Sequence, residues 1–176
     1  MAQFHLIRHG QASFGAANYD KLSQLGHQQA RWLGEYYRAR GETFDALVTG
    51  DLVRHVETGE GIQEGLGSSL AADLQPGLNE FDFHSIVDAY LSAHPEEVPP
   101  EGASMAAFYR VLKKAMQRWQ AGRLEGNLPE SWQGFCDRVA GAMAHSERTV
   151  VAGLEQHGLP VSNYLRARAE DSGKFA

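Results

Sequence analysis

The chain has 176 residues, 43% of them hydrophobic, with 22 acidic against 16 basic side chains and a formal net charge of −6. That length suits one domain with a sizeable core. No basic stretch is present of the kind that tracks a phosphate backbone, which argues against nucleic acid as a partner. A single cysteine, Cys136, excludes an intramolecular disulfide and fits a reducing compartment. Residues 1–10 lack the apolar centre of a signal peptide, and no apolar run approaches membrane-spanning length. The expected location is therefore the cytoplasm, without membrane contact.

In chain order, the apolar run at 3–8 reads as a buried strand. Residues 11–21 read as a loop rich in Gly, Ala, Asn and Asp. Ser23 is an N-cap for a helix reaching about Arg40, with Leu25, Trp32, Leu33, Tyr36 and Tyr37 at helical spacing and Gly41 as its stop. Phe44 to Val48 reads as a second strand, Asp51 to Leu66 as a helix, and 69–74 as a short third strand. Prolines 76, 95, 99, 100 and 129 punctuate residues 76–130, where helices are expected near 85–93 and 103–121. Ser131 to Glu147 reads as a helix with Trp132, Phe135, Val139 and Met143 on one face, and Thr149 to Leu154 as a last strand. Alternating strands and helices predict an α/β protein. The expected form is three-layer α/β/α, with a mostly parallel sheet, helices on both faces and a helical insertion over a site at the strand ends.

Three stretches carry candidate chemistry. Arg8-His9-Gly10, followed by Gln11 and Ser13, closes the first apolar run. Gly10 allows the chain to turn and a ligand to come close. Arg8 offers a fork of donors suited to phosphate oxygens, and His9 is an imidazole largely uncharged at neutral pH. Thr49-Gly50-Asp51-Leu52-Val53-Arg54-His55-Val56-Glu57-Thr58 places a second arginine, Arg54, at the start of a helix. The competing reading of Arg54 is a surface arginine paired with Glu57 or Asp51. Leu78-Asn79-Glu80-Phe81-Asp82 holds two loop carboxylates. The pairs His5/His9 and Glu80/His84 lack a third ligand at a recognisable spacing, so no metal site is expected. Cys136 lies on the apolar side of its helix and reads as core.

These stretches together resemble the histidine phosphatase superfamily, the phosphoglycerate-mutase-like fold, over roughly residues 3–150. The resemblance implies a nucleophilic His9 that forms a phosphohistidine, with Arg8 and Arg54 neutralising the phosphate charge. It implies Glu80, with Asp82 as the runner-up, as the acid that protonates the leaving oxygen, a task that calls for a raised pKa. Gln11, Ser13 and Asn18 then assist phosphate or substrate binding. The implied activity is metal-independent and cofactor-free hydrolysis of a small phosphate monoester. The alternatives are a mutase of the phosphoglycerate type and a phospho-ligand-binding protein of low activity.

The end of the chain departs from this pattern. The superfamily usually supplies a second pocket histidine after its last core strand. Here His157-Gly158 is the candidate, about two residues late and without the paired glycine. The expected organisation is an α/β domain at 1–153, with the 76–130 insertion as its cap, and an atypical, poorly ordered tail at 154–176. An uncovered sheet edge there favours self-association, with a homodimer as the candidate assembly.

Overall fold

The computed structural model describes residues 4–13 and 20–156. Ser23 has extended backbone, and its hydroxyl oxygen accepts from the Gly26 amide at 3.1 Å. That satisfies one of the donors a helix start leaves open. Helix α1 runs Gln24–Ala39. Gly41, at φ +68, takes the left-handed turn that ends it.

Strand β1, Leu47–Thr49, leads into helix α2, Val53–Leu66, and then strand β2, Ala72–Leu74. The strands pair in parallel, Leu47 with Ala72, Val48 with Asp73 and Thr49 with Leu74. Parallel neighbours need a crossover, and α2 provides it. Helices α3, Phe83–Ala93, α4, Met105–Gln120, and α5, Trp132–Gln156, complete the described residues. Among the described residues, five α-helices and two parallel strands make a helix-rich α/β fold, the class the sequence indicates. None of these helices is long and apolar enough to cross a membrane.

The chain divides into two compact units, Met1–Asn79 with Ala142–Ala176, and Glu80–Gly141. In the first, α1 and α2 meet backbone to backbone. Gly34 lies against the Ile62 carbonyl and Gly65 against that of Arg31, so a side chain at either position would collide with main chain. Ala30, Tyr37 and Ile62 form a small core, with Leu33, Phe44 and Leu66 around it. Arg31 and Glu64 form an ion pair across the two helices. His145 Nε2 meets the Asp73 carboxylate at 2.5 Å, fastening α5 to β2. Hydrogen bonds from Gln75 and then His145 hold the Asp73 carboxyl below its ordinary range.

The second unit is held by apolar area. Ile86, Val87, Tyr90, Val111, Ala115 and Trp119 are its buried core. Phe81, Trp132 and Phe135 surround Trp119 with ring centroids 5.3–5.8 Å away, within the range of favourable aromatic pairs. The Trp119 Nε1–H donates to the Glu130 carbonyl at 3.1 Å. Arg138 grips the Glu130 carboxylate with two 2.7 Å bonds. Cys136 is half-buried.

Two expected strands are corrected. Residues 149–154 continue α5 as helix. The β-branched run at 149–151 sits between Arg148 and Ala152, both good helix formers, and no proline interrupts 132–156, so the helix continues across it. The run at 3–8 is not a buried strand. Its described residues are in no ladder, and Phe4, Leu6 and Ile7 are 43, 80 and 42% exposed. A strand needs a neighbour that offers free ladder positions, and the segment expected to widen the sheet is helix. The run is instead tied locally. The His5 ring packs edge-on against Tyr37 and Phe44, and its Nδ1 lies 3.3 Å from the Tyr37 hydroxyl. The tail from residue 157 onward, with His157, and Asn18 lie outside the described residues.

Candidate active site

The segment Arg8-His9-Gly10 is fixed by its neighbours. The Gly10 amide donates to Thr58 Oγ1 at 3.1 Å. Thr58 is buried and in turn donates to the Arg54 carbonyl at 2.6 Å. On the other side Gly10 lies against the Gly26 carbonyl so closely that a Cβ would collide with it. Glycine here serves close approach to α1, and the segment meets the start of α1 through Gly26 and the first turns of α2 through Thr58. Arg8 is exposed.

The half-buried His9 directs Nδ1 to the Gly10 carbonyl at 2.7 Å. A carbonyl oxygen only accepts, so this nitrogen carries the proton, and the lone pair of the neutral ring is on Nε2. The local hydrogen bond thereby sets which nitrogen can act as nucleophile.

The next residues pair with the approach to α1. Ser13 N donates to the Lys21 carbonyl and Ser23 N to that of Gln11, both at 2.8 Å. Gln11 Oε1 accepts from Ser23 Oγ at 2.8 Å, and Ser13 Oγ donates to the Leu22 carbonyl at 3.0 Å. Both candidates thus follow the histidine on a pinned segment, where their side chains brace it. Glu57 joins this brace by accepting from Leu22 N at 2.8 Å.

Arg54 is 7% exposed and is no surface arginine. Its Nη1 donates to Asp20 Oδ1 at 2.7 Å, a partner other than the Glu57 or Asp51 of the surface reading. Asp20 Oδ2 also accepts from Val53 N, at the start of α2, at 2.9 Å. One carboxylate therefore takes up a buried guanidinium and a helix-start amide together, both of them donors suited to an anion. The sequence reading missed Asp20. Its only signal was an acid at the end of the loop.

His55 was missed as well. Its ring stacks on that of His9, centroids 5.7 Å apart and planes 26° apart. Burial, with Arg54 and then His9 nearby, pushes its pKa down, against a smaller upward pull from Asp20 and Asp51. Asp51 is tied by Asn79, whose Nδ2 donates to Asp51 Oδ1 at 2.6 Å.

The structure thus gathers His9, Gln11, Ser13 and Arg54 in the first unit. Glu80 and Asp82 belong to the second. Glu80 is exposed, after a 3-10 turn at Pro76–Leu78. Asp82 caps α3, accepting from Ser85 N at 3.1 Å and Ser85 Oγ at 2.6 Å. The Ser85 side chain is the main cause that holds the Asp82 carboxyl below its ordinary range. Among the described residues no group of three or more His, Cys, Asp or Glu side chains is placed to hold a metal ion.

A histidine whose neighbour Gly10 is joined through Thr58 to a buried arginine is a pair of side chains suited to phosphoryl transfer. The model of the histidine phosphatase superfamily (branch 1) matches residues 4–153, and the chain belongs to that superfamily. Membership supports an enzyme of phosphatase or phosphoryl-transfer type. No curated protein matches the chain. Among solved structures it is similar to the ecdysone phosphate phosphatase EPPase from Bombix mori in complex with tungstate, at 21% identity and a TM-score of 0.36. That match covers 76% of this chain, which spans 61% of the other.

Proposed function

We propose that the protein hydrolyses a small phosphate monoester through a phosphohistidine at His9. The observation that carries this reading is the Nδ1 bond to the Gly10 carbonyl, which leaves the lone pair of the neutral ring on Nε2. His9 Nε2 attacks phosphorus and the ester P–O bond breaks. The leaving oxygen takes a proton from Glu80, the group assigned as general acid. Water, giving its proton back to the Glu80 carboxylate, then displaces His9 and releases inorganic phosphate. Arg54 and Arg8 neutralise the phosphoryl oxygens, with Gln11 and Ser13 completing the loop. Asp82 is the weaker candidate acid because its carboxyl is engaged by Ser85, and His157 is retained as a candidate phosphate ligand. The reaction draws on no metal or cofactor, and the compartment proposed is the cytoplasm.

The test is para-nitrophenyl phosphate turnover with and without EDTA, alongside acid-labile, alkali-stable phosphate on the quenched protein. Expected is EDTA-insensitive release and a phosphoenzyme, both lost in His9→Asn. Wild-type turnover in His9→Asn overturns the reading.

A further inference from the structure

The ring beside the nucleophile is unused by the reaction as written, and its position is specific. His55 follows Arg54 in the first turn of α2 and lies face to face with His9, with centroids 5.7 Å apart. Its Nδ1 edge lies over Gly50, where a Cβ would run into that nitrogen and into Asn79 Oδ1. Space for the ring therefore exists because residue 50 has no side chain. Thr58, one turn further along α2, fixes Gly10, so the same helix holds both the turn and the ring stacked on it.

We propose that His55 is a positioning residue for phosphoryl transfer: its ring is the platform that orients the His9 imidazole and accommodates the positive charge that ring gains on phosphorylation. The inference rests on His9 being the nucleophile. When Nε2 bonds to phosphorus while Nδ1 keeps its proton on the Gly10 carbonyl, the ring becomes cationic. A cation over the face of an uncharged aromatic ring is stabilised, whereas a second cation there is repelled. The groups that act on His55 are Arg54 and His9, which disfavour its protonation, and Asp20 and Asp51, which favour it. Burial is the largest influence and acts with the first pair, so the surroundings favour an uncharged platform.

The experiment is the pre-steady-state rate of phosphoenzyme formation from para-nitrophenyl phosphate between pH 5 and 8 in wild type, His55→Phe, His55→Ala and His55→Arg. His55→Phe keeps the stack and should stay within about 3-fold of wild type at neutral pH, while the wild-type loss of rate on the acid side, below the ordinary histidine pKa, shrinks. His55→Ala should slow the step roughly 10-fold, the scale of a partly desolvated cation–ring contact. His55→Arg, with its fixed charge, should slow it further, and KM should change less than the rate. Equal losses in Phe and Ala variants would reduce His55 to packing and overturn the inference. Phosphoenzyme formation at the wild-type rate and pH profile in all three would also overturn it, while leaving the His9 reading intact. If wild type forms no phosphoenzyme, the His9 reading itself fails.

Discussion

The two units solve the problem of holding shape in different ways. Glu80–Gly141 is organised around Trp119, 2% exposed and ringed by Phe81, Trp132 and Phe135. Among the described residues of Met1–Asn79 and Ala142–Ala176 the core cluster is small, Ala30, Tyr37 and Ile62, with Leu22 and Ala142 also buried. There, cohesion comes from glycine-mediated helix contact and from directional bonds such as Gly10 to Thr58 and Arg54 to Asp20. Apolar packing is nondirectional and tolerates repacking. Hydrogen bonds to a buried charge fix positions, and they are costly to break. The difference teaches that the unit with His9 is held by interactions that set placement, while the other is held by burial.

The sharpest way to break that comparison is to hollow out the second unit. Trp119→Ala removes a fully packed indole and its bond to the Glu130 carbonyl. It should cost about 3–5 kcal/mol, the range for large aromatic truncations in cores. Urea unfolding followed by tryptophan fluorescence and circular dichroism measures it. A loss below about 1 kcal/mol would mean that the aromatic cluster is ornamental and that the contrast between the units is false.

The corresponding change in the first unit should show in rate. Arg54→Ala should lower kcat by roughly 10²–10³-fold, the scale for one preorganised charge-stabilising donor. Arg54→Lys should recover part of this, since an ammonium lacks the planar fork. Both variants leave Asp20 without its 2.7 Å bond from Arg54, so a folding check by circular dichroism accompanies the assay. Equal kcat in all three proteins would reduce Arg54 to a structural counter-ion of Asp20.

How much of this was legible follows the same division. Helix α1 was readable from Ser23 to Gly41 because its cap and its stop are local chemistry. His9 and Arg54 could be named as candidates because each stands in a short local run of residues. His55 and Asp20 were not, because their role comes from partners 46 and 34 positions away in the chain, and a lone His or Asp carries no periodicity. The strands expected at 3–8 and 149–154 failed for a related reason. Short apolar runs suit strand or helix equally, and whether a ladder forms depends on a neighbour that the run does not itself encode.

The last comparison separates the two carboxylates of the second unit, one expected to act on stability and the other on rate. Asp82 caps α3 through Ser85, and Asp82→Ala should cost about 1 kcal/mol at neutral pH. Its folded pKa lies below the unfolded one, so this contribution is present above the unfolded value of about 3.9. It is lost as pH falls through the lower folded pKa. The stability gap between Asp82→Ala and wild type should therefore be constant from pH 7 to about 5 and close in stronger acid. Activity should be nearly unchanged in Asp82→Asn, because asparagine also caps well. Glu80→Gln should keep the stability of the wild type. It should slow alkyl phosphates by about 10²–10⁴-fold, yet barely touch para-nitrophenyl phosphate, whose phenolate leaves without a proton. Should Asp82→Asn show that leaving-group dependence instead, the acid is Asp82 and its bond to Ser85 must open during the reaction. A uniform loss across leaving groups in Glu80→Gln would move Glu80 from proton transfer to binding.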